Sequence, residues 1–275
     1  MRVTVRLFAG LRERAGAGEV TLDLPDGARV SDALQAVAEI TAGTRVVMAV
    51  NREYADERQR LAPGDELALI PPVSGGAGPN QPPGNAESQG PSGGAESQGP
   101  SGGAESQGPS GGAEPSGLRD AAPSGSAGRR DAIHARVSAE PLALDPLLAF
   151  VRDARAGAVI TFAGVTREVP ALEYEAYAEM AVPQMRAILE RALTRHGLCA
   201  AAAEHRTGTV TLSEPSVLIA VSAPHRAEAF AGGREIIDEL KRRAPIWKRE
   251  EGEWVSGTAP TVPPRAGRTS PRADQ

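Results

Sequence analysis

Aromatic side chains are scarce in this chain, at 3% of its 275 residues, while 31 glycines and 23 prolines are spread through it. That balance excludes a core running the full length, because a sizeable part of the polypeptide has no apolar surface to bury. Cysteine is nearly absent. The single Cys199 rules out an internal disulfide and any multi-thiolate metal site. It follows a helix-like stretch and opens an Ala-rich strand-like one, so it is expected as a small core residue. No apolar run reaches the roughly 18 residues that a bilayer crossing needs. The opening MRVTVRLFAG alternates polar and apolar residues and has no apolar core of a signal peptide, so a cytoplasmic protein with no membrane partner is expected. A net charge of −5 leaves no electrostatic footprint for nucleic acid.

What is present divides the chain. Between Gly76 and Arg130 the only large apolar side chain is Leu118, and AESQGPSGG recurs in tandem at 86–94, 95–103 and 104–112. Those copies hold nothing with which to build a solenoid core, so residues 77–131 are expected to be a disordered linker. About 54 such residues span a root-mean-square distance of about 40 Å, comparable with the diameter of a small domain. The linker separates a first domain, 1–76, from a second, 132–256, and a patternless tail, 257–275, follows.

The first domain reads strand (VTVRLF), loop, strand (VTLDL), helix from an N-cap at Ser31 to about Ile40, strand (RVVMAVN), turn and strand (ELALI), an α+β pattern. Pro71 and Pro72 remove ladder donors and end its last strand, so Val73 to Gly76 are expected to protrude. The second domain reads strand (HARVSA), helix (145–155), strand (AVITFAGV), strand (ALEYEAYA), helix from Val182 to His196, strands around AAAEHRTGTVTL and VLIAVSAP, helix from His225 to Arg243, and a hairpin, IWKREEGEWV. That too is α+β, with helices interrupting a mostly antiparallel sheet.

Two regions carry chemistry. A Gly-Gly pair with no side chains threads a narrow channel and brings a carboxylate to buried groups. The plainer alternative is that Ser74-Gly75-Gly76 starts the linker, whose PSGG copies resemble it; against this, only Gly75-Gly76 is attached directly to a folded domain's last strand. In PHRAEAFAGGREIIDELKRRAPIWKREEGEW, Phe230, Ile237 and Lys241 fall within about 40° of one another at 100° per residue. Lys241 thus lies in line with apolar residues, either as a functional amine or as a snorkelling cation at a helix C-terminus. Lys248 follows on the hairpin beside Trp247, and His225 and Arg226 open the helix where an anion is favoured. Arg167 ends AVITFAGVTR. Each has a bland alternative as a surface or capping group; together they make a cationic set suited to a phosphate-bearing substrate and an anionic tail.

FAGLRERAG at 8–16, VNREYA at 50–55 and LAPGDELALIPPVSGG at 61–76 resemble the small ubiquitin-like sulfur-carrier subunit of molybdopterin synthase, a β-grasp protein. GAVITFAGVTR at 157–167, LEYEAYAEMA at 172–181, HRAEAF and LKRRAPIWKRE resemble its large subunit, an α/β hammerhead that dimerises and binds one small subunit at each distal end. The resemblance implies a fused synthase making the dithiolene of molybdopterin from cyclic pyranopterin monophosphate. Sulfur would come from a Gly76 thiocarboxylate made by an adenylating, sulfurating activating enzyme. It implies Lys241 and Lys248 as catalytic lysines and Arg167, Phe162, His225 and Arg226 as substrate-binding residues, with no metal or cofactor. After Arg167, REVPA leads almost directly into LEYEAY where the family carries a longer loop. In this chain Gly76 is joined to Ala77 by an amide, which has no carboxylate to activate. A processing protease cutting between Gly76 and Ala77 is therefore expected.

Overall fold

The computed structural model describes residues 1–73 and 132–255. The linker, the tail end Gly75 and Gly76, the Gly76–Ala77 junction and the C-terminal tail lie outside the described residues.

The N-terminal domain starts with β1 (Arg2–Leu7), whose alternating Val3, Val5 and Leu7 are buried. β1 pairs antiparallel with β2 (Glu19–Asp23) and parallel with the last strand, β5 (Glu66–Ile70). With β3 (Val47–Val50) and β4 (Glu53–Ala55) the sheet order is β2-β1-β5-β3-β4. One short helix was not expected, α1 (Gly10–Ala15), in the stretch read as a loop. The expected single helix is two, α2 (Val30–Ala36) and α3 (Ala38–Thr41), and it starts before Ser31. Asp32 explains the start, because its carboxylate accepts the Arg29 N–H at 2.7 Å and ties down an earlier turn. Val30, Ala33 and Val37 pack on Val3, Val5, Leu67 and Leu69 to form the core.

The second domain holds two four-stranded sheets where one was expected. The first orders β6 (Ile133–Ser138), β9 (Ala200–Arg206), β11 (Pro215–Ala223) and β7 (Ala158–Val165); β6 and β9 are parallel and the other pairs antiparallel. The second orders β10 (Gly208–Thr211), β8 (Ala171–Ala176), β12 (Ile246–Glu250) and β13 (Glu253–Trp254). The split falls at Thr207, where the stretch read as continuous breaks and passes from one sheet to the other, with Gly208 at φ 78.

α4 (Leu144–Phe150) stops earlier than expected. Just beyond it, Asp153 accepts the Arg155 N–H at 2.8 Å and forms a competing turn. α5 (Ala178–His196) begins four residues before the expected Val182; Pro183, which reads as a helix start, sits inside its second turn. α6 (Arg226–Arg243) packs with α5 over the inner face of the first sheet, burying Met185, Ile188, Leu189, Ile236 and Leu240 against Ala201, Ala203, Ile219 and Val221. Cys199 is buried, as expected.

The two domains share a third core. Phe8, Ala9, Ala49, Ala68, Ile70 and Val73 pack against Tyr177, Met180 and Trp247. The Phe8 ring stacks on Trp247 at 5.0 Å and lies 4.8 Å from Tyr177. Polar contacts surround that centre. Arg6 reaches Glu179 at 3.2 Å, Arg12 reaches Glu175 at 3.3 Å, Arg249 reaches Glu13 at 3.3 Å, and Gln184 donates to the Tyr54 hydroxyl at 2.6 Å. Tyr177 donates its hydroxyl to Glu66, and burial together with that carboxylate pushes the phenol pKa up, so it stays a donor. Burial likewise raises the Glu175 carboxyl, against the pull of Arg12.

Candidate functional site

A cavity of about 250 Å³ opens where the two sheets of the second domain meet the end of α6. The first sheet lends Gly164, Val165, His205, Ser216 and Val217; the second lends Tyr174, Ile246 and Lys248. The last turn of α6 closes it with Ile237, Leu240, Lys241 and Ala244. Lys241 and Lys248 are the only lysines in the chain, so both of its side-chain amines stand at this one cavity. Lys248 is half-buried and pairs with Glu250 at 2.8 Å.

Strand alternation explains the second wall. On β12, Ile246 and Lys248 face the cavity while Trp247, between them, points the other way into the interdomain core. β8 repeats this, with Tyr174 opposite Lys248 in register and facing the cavity, and Glu175 opposite Trp247 on the side of Arg12 and Ala9. One two-stranded wall therefore has the cavity on one face and the N-terminal domain on the other. The Trp247 indole N–H donates to the Pro71 carbonyl at 3.2 Å, and Val73 is fully buried at the same contact. The chain thus leaves its last described residues of the N-terminal domain against the residue that adjoins Lys248.

The other sequence candidates are placed differently. Phe162 is half-buried on β7, on the same face as Gly164, with its ring 3.4 Å from where a side chain on that lining glycine would begin. Arg167, two residues past the lining Val165, is exposed and pairs with Glu168 at 3.6 Å. His225 is the N-cap of α6 and Arg226 its first residue, both exposed. At 1.5 Å per residue, Arg226 and Lys241 sit roughly 22 Å apart on one rigid helix. Within one chain, then, the lysines come together and the His225–Arg226 pair stands at the far end. Phe230 and Lys241 are both exposed, so of the apolar line drawn through Lys241 only Ile237 is buried.

His205 and Tyr174 were not singled out from the sequence. A signal existed for the first, since Ala201, Ala203 and His205 share the face of β9 that turns to α5 and α6, and a histidine on a buried face calls for a partner. The His205 Nδ1 lies 2.8 Å from the Arg206 carbonyl, and the Tyr174 ring meets the imidazole edge-on at 5.1 Å. Burial, with a smaller push from the Lys241 charge, draws the His205 pKa down to about 4. A second cleft, about 1370 Å³ and open, runs between the β3–β4 hairpin and α5, but no lysine or histidine lines it. Among the described residues no helix is long and apolar enough to cross a membrane.

Comparison with known proteins fits the two halves. Residues 5–76 match the model of the ThiS family and residues 137–243 that of the MoaE protein family. The molybdopterin synthase catalytic subunit of Thermoplasma volcanium is 44% identical over 115 residues, which are 38% of this chain and 84% of that protein. The protein of the same description from Coccidioides immitis is 41% identical over 128 residues, 42% of this chain and 65% of that protein. This chain accordingly spans between about half and two thirds of the length of its fungal and rice relatives. The solved molybdopterin cofactor biosynthesis protein E from Burkholderia multivorans is 32% identical with a TM-score of 0.43, over 46% of this chain and 90% of that one. With a ThiS-family domain ahead of a MoaE-family domain in one polypeptide, the chain belongs to the molybdopterin synthase family.

Proposed function

We propose that this chain is a fused molybdopterin synthase that moves sulfur from a thiocarboxylate on Gly76 to cyclic pyranopterin monophosphate. The observation that carries the reading is the two-faced wall: the N-terminal domain docks on Trp247, and both lysines of the chain lie at the cavity behind it. From Val73, which is buried at the Trp247 contact, three residues to Gly76 reach about 10 Å when extended, matching the roughly 10 Å between stacked sheets, so the tail is just long enough to reach the far side of the wall.

In this reading Lys241 is the main proton-transfer or acyl-accepting amine. Lys248 holds the anionic tail and stabilises developing negative charge. Gly75 and Gly76 suit a narrow entry because they carry no side chain. Arg167, His225 and Arg226 bind the phosphate and orient the pterin, with Phe162 supporting the strand beside Gly164. The length of α6 separates the His225–Arg226 pair from its own Lys241, so a homodimer in which a second copy supplies that pair completes the substrate site. No resident metal or cofactor is part of the proposal.

The amide at Gly76–Ala77 must be cut before an activating enzyme adenylates and sulfurates the new carboxylate. An uncut chain would be a docked, silent precursor, a reading that the buried interdomain core favours for that form. The direct test is complementation of a synthase-deficient strain. Lys241→Ala and Lys241→Arg should both lose activity by about 100-fold or more, since arginine keeps the charge but releases no proton at neutral pH. Full complementation by either variant contradicts the assignment.

A further inference from the structure

We propose that His205 is a positioning residue for Lys241, its Nε2 serving as the acceptor that holds one hydrogen of the Lys241 ammonium within the cavity. Both side chains line the same 250 Å³ space, one from β9 and the other from the last turn of α6. In this structure the Lys241 side chain is exposed and makes no hydrogen bond to the ring, so the proposed contact is the one it makes when it turns inward. Only the activity arm of the test below rests on the sulfur-transfer reading.

The tautomer follows from one contact. A carbonyl oxygen only accepts, so the Nδ1 at 2.8 Å from the Arg206 carbonyl must carry the hydrogen. A neutral ring with Nδ1–H has a bare lone pair on Nε2. The edge-on Tyr174 ring at 5.1 Å restrains the imidazole plane, so that lone pair has a fixed direction. The ring also remains neutral, because burial and the nearby lysine charge both disfavour the imidazolium.

The surroundings give this acceptor a purpose. The titratable and charged groups around His205 are Lys241 from α6, Lys248 from β12, the Tyr174 phenol from β8 and its neighbour Arg206, which is paired with Glu214 at 2.9 Å. Among the described residues no carboxylate lines the cavity, although Lys248 pairs at its edge with Glu250 at 2.8 Å. An imidazole nitrogen is a stronger neutral acceptor than the Tyr174 or Ser216 hydroxyls that share the wall. It orients the lysine without cancelling its charge, as an aspartate or glutamate would. The Lys241 amine is thereby aimed while the cavity stays attractive to anions.

The test uses the full chain with its amines reductively methylated by ¹³C-formaldehyde, which labels two lysines and the N-terminus. His205→Asn keeps a donor for the Arg206 carbonyl but offers no acceptor at the ε position. His205→Gln places a carboxamide oxygen there. At fixed neutral pH, the Lys241 dimethyl resonance should shift in His205→Asn and return toward its wild-type position in His205→Gln, with the Lys248 resonance unmoved. In reconstituted sulfur transfer, His205→Asn should lower kcat roughly 10- to 100-fold with little change in KM, and His205→Gln should recover most of it. A Lys241 resonance that is the same in all three proteins overturns the proposal, as does a His205→Gln no better than His205→Asn in both readouts. Shifts of the expected kind in protein that never transfers sulfur would uphold the positioning role and overturn the functional reading instead.

Discussion

Twenty-eight of the chain's thirty basic side chains are arginine, so the two positions that remain lysine are informative. Arginine serves for surface charge and ion pairs, as it does at Arg6, Arg136 and Arg155. Of the two cationic side chains, only lysine offers an amine that can act as a nucleophile or proton carrier, and the chain keeps its lysines solely at one cavity. His205 adds a pH signature there. Unfolded histidine titrates near 6.5 and the folded ring near 4, so between those values the unfolded chain binds a proton that the folded chain refuses. Stability is therefore intact above about pH 6.5 and falls as pH drops toward 4, by on the order of 3 kcal/mol from this group. Urea unfolding at pH 7 and pH 4.5 should show a smaller acid loss for His205→Gln than for wild type. Equal losses would show that His205 does not titrate this way.

The elements show why the site was only partly legible in the sequence. Lys241, Lys248 and Trp247 were readable because a proline-terminated helix and a short hairpin fix their spacing. The two sheets were not, because strand patterning gives each strand's buried face and says nothing of which sheet it joins. For the same reason the interdomain core was missed, since Phe8 and Trp247 each read as ordinary core residues of their own domain. The distance between Lys241 and the His225–Arg226 pair was implicit in helix length, yet the cationic residues had been grouped by composition. Two predictions belong to this scale. Gly157, just before β7, lies where an added Cβ would sit 2.5 Å from the Pro224 carbonyl oxygen, a backbone atom that cannot swing aside, so Gly157→Ala should destabilise the second domain by about 1–3 kcal/mol, read as a lower Tm. A double-mutant cycle on Phe8→Ala and Trp247→Ala, read from interdomain docking, should give a coupling of roughly 0.5–1.5 kcal/mol. A coupling near zero would mean that the two rings do not stack in solution.

In the whole molecule, one polypeptide joins a carrier-like domain to the domain that bears the lysine cavity, and the two meet across the wall formed by β8 and β12. Fusion guarantees equal amounts of both parts and keeps them near each other before any cut. Under the proposed function, release of the tail would let the carrier-like domain travel to an activating enzyme and return to the surface formed by Tyr177, Met180 and Trp247. Sulfur transfer by this chain would therefore require Gly76 to become a terminus. The most direct test is the intact mass of the protein purified from its own cells while molybdopterin is being made. The account predicts an N-terminal fragment ending at Gly76, as the carboxylate or the thiocarboxylate. Finding only the uncut 275-residue chain in cells that make molybdopterin through this protein would contradict it.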